Sequence, residues 1–331
     1  MSRLMEPLLE VRDLAVQFDS KSGCPVPVLR GVSFDIRRGE VVGLLGESGC
    51  GKTTTALAVL RLLPPAARLA GGSIRFCGRN LESLDEPELQ KVRGAEISLI
   101  SQEPGIALNP VLPAGVQIAE VIQAHRALNR KERREEVLSL LSAVGLPEPA
   151  RIYAAYPHQL SGGQRQRVVI AQALACHPAL LLADEPTAAL DTILQAGILN
   201  LLGELKARLG LSLLLITHNP AILAGLADRV LVMYAGRIVE EGMVRDVLER
   251  PLHPFTKGLL ASLPHAASRV DVAADKRLPT IEGSSPDLAN LPCGCSFAPR
   301  CPERMEICTK TSPEPVRQGE SRRVECLIYG R

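Results

Sequence analysis

Residues Val41–Leu62 read VVGLLGESGCGKTTTALAVLRL, and they constrain the fold more than any other stretch. Val41, Val42, Leu44 and Leu45 have strand composition, and Gly46, Glu47, Ser48, Gly49, Cys50, Gly51, Lys52 and Thr53 follow in the spacing G-x-x-x-x-G-K-T. Thr54 leads into a helical pattern that puts Leu57, Leu60 and Leu63 on one face, and Pro64-Pro65 stop it. Strand, glycine-rich loop and helix in that order make a phosphate-binding loop. Glycines let several backbone N–H groups turn inward around an anion. The helix N-terminus adds the positive end of its dipole. Lys52 is placed to bridge the outer phosphates and the Thr53 hydroxyl to ligate Mg²⁺.

The rest of the composition narrows what the loop can serve. A chain of 331 residues has ample core for one large or two moderate domains. Its net charge of +2 gives no basic field for nucleic acid, and 3% aromatic residues without Trp leave no base-stacking platform. No apolar run reaches the roughly 18–20 residues that cross a bilayer. The opening MSRLMEPLLEVRD lacks the apolar centre of a signal peptide, so a cytosolic protein is expected. Cys24, Cys50, Cys77 and Cys176 are scattered, whereas five cysteines follow from Cys293 onward. In a reducing compartment the first group reads as plain thiols and the cluster as metal ligands more than disulfides.

Residues 8–18 alternate as a half-buried strand, ending at Phe18, which either stacks on a base or packs in the core. Val28–Ile36 alternates again, and Ser73–Cys77 is expected as a short strand after Gly71-Gly72. Ala95–Ile100 reads as a strand ending beside Gln102, whose amide can reach a metal ion and a water. Residues 104–115 are rich in Pro and Gly, and 116–146 look wholly helical, with Val137, Leu141 and Val144 as the buried stripe. Residues 103–164 are thus a helical insertion in an α/β core.

Ser161 is a good N-cap for a helix over Gln164–Cys176, and Gly162-Gly163 keep side chains off its first N–H groups. This is either an ordinary capped helix or a second anion site, serving a nucleotide held by another copy. Leu180–Glu185 is an apolar strand ending in two carboxylates. Asp184 can hold Mg²⁺ through water and Glu185 can polarise an attacking water. Asp191 follows, then a helix over Ile193–Leu209. Leu213–Thr217 is a buried strand with His218 at its end, where open α/β sheets place ligands. Val230–Tyr234 and Arg237–Glu241 form a hairpin around Ala235-Gly236. Composition changes at Pro251, which places a domain boundary near 250 and a linker at about 265–280.

Together these motifs resemble the ATP-binding cassette family. Gly46–Thr53 matches its Walker A loop, Gln102 its Q-loop, Leu160–Gln164 its signature, and Leu180–Asp184 its Walker B strand, with Glu185 as the acid that follows. Ala189–Asp191 matches the D-loop and His218 the switch histidine. The chain departs at Phe18, where the family usually has Tyr, and at Asn219, where it usually has Asp; neither removes a group needed for chemistry. The resemblance implies a RecA-like P-loop NTPase core with an antiparallel β-subdomain, the helical insertion and a small cysteine-containing C-terminal lobe. It implies two cassettes facing head to tail, with ATP and Mg²⁺ between Walker A of one and the signature of the other. In that arrangement Ser161, Gly162, Gly163, Gln164 and Asp191 contact the nucleotide of the partner copy, and Thr53, Gln102 and Asp184 attend the metal.

The tail narrows the resemblance to the oligopeptide, dipeptide and nickel importers. Its HPFTKGLL at His253–Leu260 is similar to their HPYTxxLL segment, and Leu108-Asn109-Pro110, Ile281–Pro286 and Cys295–Cys301 continue the match. On that basis residues 1–250 are the nucleotide-binding domain and 251–331 the importer-type C-terminal domain. The expected protein is the ATP-hydrolysing subunit of a prokaryotic importer of peptides or a related small solute. It would sit peripherally on the cytoplasmic face of the membrane. Its partners would be a second, paralogous cassette, two permease subunits and an extracytoplasmic solute-binding protein, with no nucleic acid. Cys295, Cys301, Cys308 and Cys326 lack the CxxC pairing of a zinc ribbon. Relatives carry a 4Fe–4S cluster at similar cysteines, and the alternatives are reduced thiols or Zn²⁺. A different class of function, a soluble cassette ATPase acting on nucleic acid or ribosomes, usually needs two cassettes in one chain or a long coiled-coil insertion, and this chain has neither.

Overall fold

The computed structural model describes residues 6–20, 23–188, 190–262 and 280–330. The chain divides into two compact units, Met1–Leu9 with Ile36–Val41 and Arg75–Ile216, and Glu10–Asp35 with Val42–Ile74 and Thr217–Arg331.

The first unit carries three parallel strands, Ile97–Ile100, Leu180–Asp184 and Ser212–Thr217, adjacent in that order. Ile97 lies opposite Leu180, and Leu180 opposite Ser212. Their near-continuous Leu and Ile content is what a sheet covered on both faces requires, and Leu180–Asp184 is buried along its whole length. The stretch 116–146, expected to be wholly helical, is two helices, Ala114–His125 and Arg130–Ala143, with a break between them. Asn129 causes the break. Its backbone is extended, its carboxamide oxygen accepts from the N–H groups of Lys131 and Glu132, and Glu132 reaches back to the Asn129 N–H. A residue that caps so well favours starting a new helix over continuing the old one. The stripe Val137, Leu141 and Val144 is fully buried, as its spacing predicts. Pro149–Ala154 and Gly162–Ala173 complete this helical part, and a four-residue helix, Pro104–Ala107, forms within the Pro/Gly-rich segment.

In the second unit the strand Val41–Gly46 runs parallel to Arg229–Tyr234, with Val42 opposite Arg229. Arg229–Tyr234 turns through Ala235-Gly236 into its antiparallel partner Arg237–Met243, as expected. The sheet continues through two strands that the sequence does not announce, Arg322–Val324 and Val316–Gln318, with Glu240 opposite Val324. At three residues each they are too short to carry a period. A further sheet has Val26–Ile36, Leu9–Phe18 and Ala67–Phe76 as neighbours in that order. The last strand runs straight through Gly71-Gly72, where a strand start was expected. Gly72 has φ 90°, and a Cβ there would lie 2.6 Å from the carbonyl oxygen of Arg12, so the glycine serves a close strand approach. The helix after the phosphate loop, Lys52–Val59, ends earlier than its Pro stop and buries Thr55, Ala56, Ala58 and Val59. Of the face that spacing gives to Leu57, Leu60 and Leu63, Leu60 is buried and the other two are half-buried. The linker expected at about 265–280 lies, up to residue 279, outside the described residues.

Candidate nucleotide site

The second unit holds the loop. Gly51 caps the helix at φ 111°, a conformation that L side chains avoid, and a Cβ there would meet Leu29 Cδ2 at 2.7 Å. The Lys52 side chain, 8% exposed, curls back so that its ammonium donates to the carbonyl oxygens of Gly46 at 2.8 Å and Glu47 at 2.9 Å. The loop backbone thus holds the cation at the mouth of the strand. Thr55 donates its hydroxyl to the Gly51 carbonyl at 3.0 Å, and the Gly236 N–H donates to the Cys50 carbonyl at 2.9 Å, pinning the loop from the hairpin side. Burial pushes the Cys50 thiol up to about 11 against the pull of Lys52, so this cysteine is a packing group, not a nucleophile. Thr53 is exposed and Thr54 half-buried at the helix start. His218 stands exposed, one residue past the end of Ser212–Thr217. Asn219 caps the helix Pro220–Leu226 by accepting from the Ala221 N–H at 3.0 Å, a task that Asp does equally well. Phe18 is half-buried at its strand end.

The first unit holds the remaining candidates. Asp184 is buried at the last position of its strand, and Glu185 follows with φ 48°, a left-handed conformation unusual for a residue with a Cβ. The Glu185 N–H donates to the Ile216 carbonyl at 2.9 Å, which anchors that turn to the neighbouring strand. Ser161 caps Gly162–Ala173 as its position predicts: its hydroxyl accepts from the Gln164 N–H at 3.2 Å, and the Gln164 carboxamide accepts from the Ser161 N–H at 3.0 Å. Arg165, which the motif reading passed over, donates to the Leu160 carbonyl at 3.0 Å and so fixes the turn in front of the cap. Its signal was available only as an extra cation one residue after the signature. Gln102 is exposed past Ile97–Ile100. An open cleft of about 370 Å³ brings Gln102 and Glu103 beside Gly162, Arg165 and Leu190. Asp191 caps the helix Thr192–Leu209, accepting from the N–H groups of Ile193 and Leu194. Ala189, at the start of the D-loop match, lies outside the described residues.

The C-terminal cysteines are brought into one neighbourhood. The Cys295 N–H donates to the Cys308 carbonyl at 2.8 Å. Burial raises the thiols of Cys295, Cys301 and Cys326, and each is raised further by others of the set. Cys301 goes up to about 11. Four thiols are the right donors for iron–sulfur or zinc, yet among the described residues no three His, Cys, Asp or Glu side chains form a group that can hold a metal ion. The expected 4Fe–4S site therefore finds no support here, because the thiols are neighbours without forming a ligand set.

The ABC transporter family matches residues 29–188, and the C-terminal region of oligopeptide/dipeptide transporters matches residues 239–308. The dipeptide transport ATP-binding protein DppD of Bacillus subtilis is 46% identical over 325 residues, covering 98% of this chain and 95% of that protein. The oligopeptide transport ATP-binding protein OppD of Escherichia coli is 46% identical over 308 residues, covering 93% and 89%. Among solved structures, an ATP-binding cassette captured as a dimer in a post-hydrolysis state with ADP and Pi is 30% identical. It covers 72% of this chain and 99% of that one, with a TM-score of 0.64. The chain belongs to the ATP-binding cassette transporter family, as an ATPase with the C-terminal region of the oligopeptide/dipeptide branch. No helix among the described residues is long and apolar enough to cross a membrane.

Proposed function

We propose that this chain hydrolyses ATP to power import of peptides, or a related small solute, through a membrane permease. The observation that carries the reading is the Gly46–Thr53 loop with the Lys52 ammonium held at its mouth, in a chain whose tail matches the oligopeptide/dipeptide region. Lys52 meets the outer phosphates, Glu185 orients and polarises water, and His218 clamps the γ-phosphate. The hydroxyl of Thr53, the amide of Gln102 and the carboxylate of Asp184 offer oxygen donors suited to Mg²⁺, which neutralises phosphate charge when bound. Ser161–Gln164 and Asp191 close the site of a second cassette, a paralogue of this one. Two permease subunits and an extracytoplasmic binding protein complete the assembly, which holds this chain peripherally at the cytoplasmic face. Residues 1–250 form the nucleotide-binding domain, and 251–331 the importer-type tail.

Glu185→Gln tests the chemistry. It should keep ATP binding and lower steady-state phosphate release by ~10²-fold or more, a typical loss for a general base. Undiminished release would remove Glu185 from its role. Co-purification with a polytopic membrane protein separates this reading from a soluble cassette acting on nucleic acid or ribosomes.

A further inference from the structure

Glu47 is a carboxylate inside a loop built to receive a polyanion. Its backbone carbonyl already engages Lys52. Its side chain points into a different set of contacts, which among the described residues come from the tail. Arg300 grips it as a fork, Nη1 donating to Oε2 at 2.8 Å and Nη2 to Oε1 at 3.0 Å, and the Ser285 hydroxyl adds a contact at 3.4 Å. The guanidinium is itself held on its other edges. Nε donates to the Glu282 carbonyl at 3.0 Å, Nη1 reaches the Tyr234 hydroxyl at 3.4 Å, and the Tyr234 ring lies 5.9 Å below. The Arg300 side chain is 9% exposed and that of Glu47 20%, so the pair is shielded from the solvent that weakens surface ion pairs. Arg300 comes 253 residues after Glu47 and directly precedes Cys301.

The two partners solve one electrostatic problem. An unpaired carboxylate at the second position of the loop would repel a bound triphosphate through a partly desolvated medium, where charges act strongly. A bidentate guanidinium cancels that charge and fixes the carboxylate on the tail side of the loop. We propose that Arg300 is a positioning residue for nucleotide binding, neutralising Glu47 so that the C-terminal tail sets the affinity of the phosphate loop. This rests on the reading of Gly46–Thr53 as the triphosphate cradle.

The test is equilibrium titration of the full-length chain with a fluorescent ATP analogue and Mg²⁺. Arg300→Ala should weaken binding about tenfold, the scale of one uncompensated charge repelling a nearby anion in a partly hydrated site. Arg300→Lys should fall in between, since it keeps the charge and loses the fork. Glu47→Gln alone should bind at least as tightly as the parent. In Arg300→Ala/Glu47→Gln the affinity should return to within about threefold of the parent, because the repulsive charge is gone. Arg300→Ala binding unchanged, or a double variant as weak as Arg300→Ala, would overturn the proposal; the second result would leave Arg300 a strut with no electrostatic part. Should Arg300→Ala fail to fold, Arg300→Lys and Glu47→Gln still decide, because a weakened Glu47→Gln contradicts the proposed sign. Lys52→Ala is the control. If it too binds normally, the cradle reading fails, and if it alone loses binding, only the role of Arg300 does.

Discussion

The phosphate loop and the C-terminal tail sit in one compact unit and are built in opposite ways. The loop fixes its lysine with its own backbone: Lys52 bonds to carbonyls five and six residues back, and Thr55 to one four residues back. The tail makes its defining contacts at long range. Glu240, wholly buried, accepts from the N–H groups of Leu252 and His253 at 2.9 Å each and pairs with Arg322 at 2.7 Å. Arg237 pairs with Glu325 at 2.8 Å, and Tyr234, Phe255 and Phe297 form one ring cluster with centroids 4.7–5.6 Å apart. A site made of local backbone shape is written in a motif. A site made of distant charges and rings must be assembled by folding, and it is exposed to any change that loosens that assembly.

Three experiments press on this contrast. The largest effect should come from Glu240→Ala, which strands the buried His253 N–H, the part-buried Leu252 N–H and the Arg322 cation. A loss of about 3–5 kcal/mol is typical of breaking a buried pair. Urea unfolding should show it, and a stability within about 1 kcal/mol of the parent would mean the tail is held elsewhere. Lys52→Ala should do the reverse, leaving the urea midpoint nearly unmoved while weakening nucleotide binding ~10²-fold, the scale of losing charge-assisted hydrogen bonds to phosphate. If Lys52→Ala instead unfolds the chain, the loop is less self-contained than its contacts indicate.

The third effect is smaller and depends on pH. Burial drives His253 down to about 3, and its Nδ1 accepts from the Phe255 N–H at 3.0 Å, so the folded ring is neutral. An unfolded histidine titrates near 6.5 and takes up a proton that the folded one refuses. The stabilising contribution is therefore complete above about pH 6.5 and is lost as pH falls from there toward 3, reaching ~2 kcal/mol by pH 5. His253→Asn, which can still cap Pro254–Ala261, should flatten the acid limb of a melting-temperature profile. A parent profile that is already flat between pH 7 and 5 would contradict the buried neutral ring.

Most positions of the candidate site were legible because they stand where a strand end, a turn or a helix start puts them. Ser161 caps its helix in the structure as its spacing predicts, Asp184 ends a buried strand, and Lys52 follows a left-handed Gly51. Where local signals competed, the prediction slipped. Asn129 interrupted a stretch expected to be wholly helical, Gly72 joined a strand it was expected to precede, and Leu57 is half-buried while Ala56, Ala58 and Val59 are buried. The cysteine set shows a different limit. The thiols do become neighbours, yet spacing alone said nothing about whether they converge.

By itself the sequence determined the family, the parallel strands and the loop, because each depends on which residue types stand within a few positions of one another. Folding alone decided that Arg300 should neutralise Glu47, that the last residues should extend a sheet begun near Val41, and that a histidine should lie buried and uncharged. Those outcomes depend on burial and on charges far apart along the chain. Their energies exist only after water has been excluded between segments whose meeting no short pattern encodes.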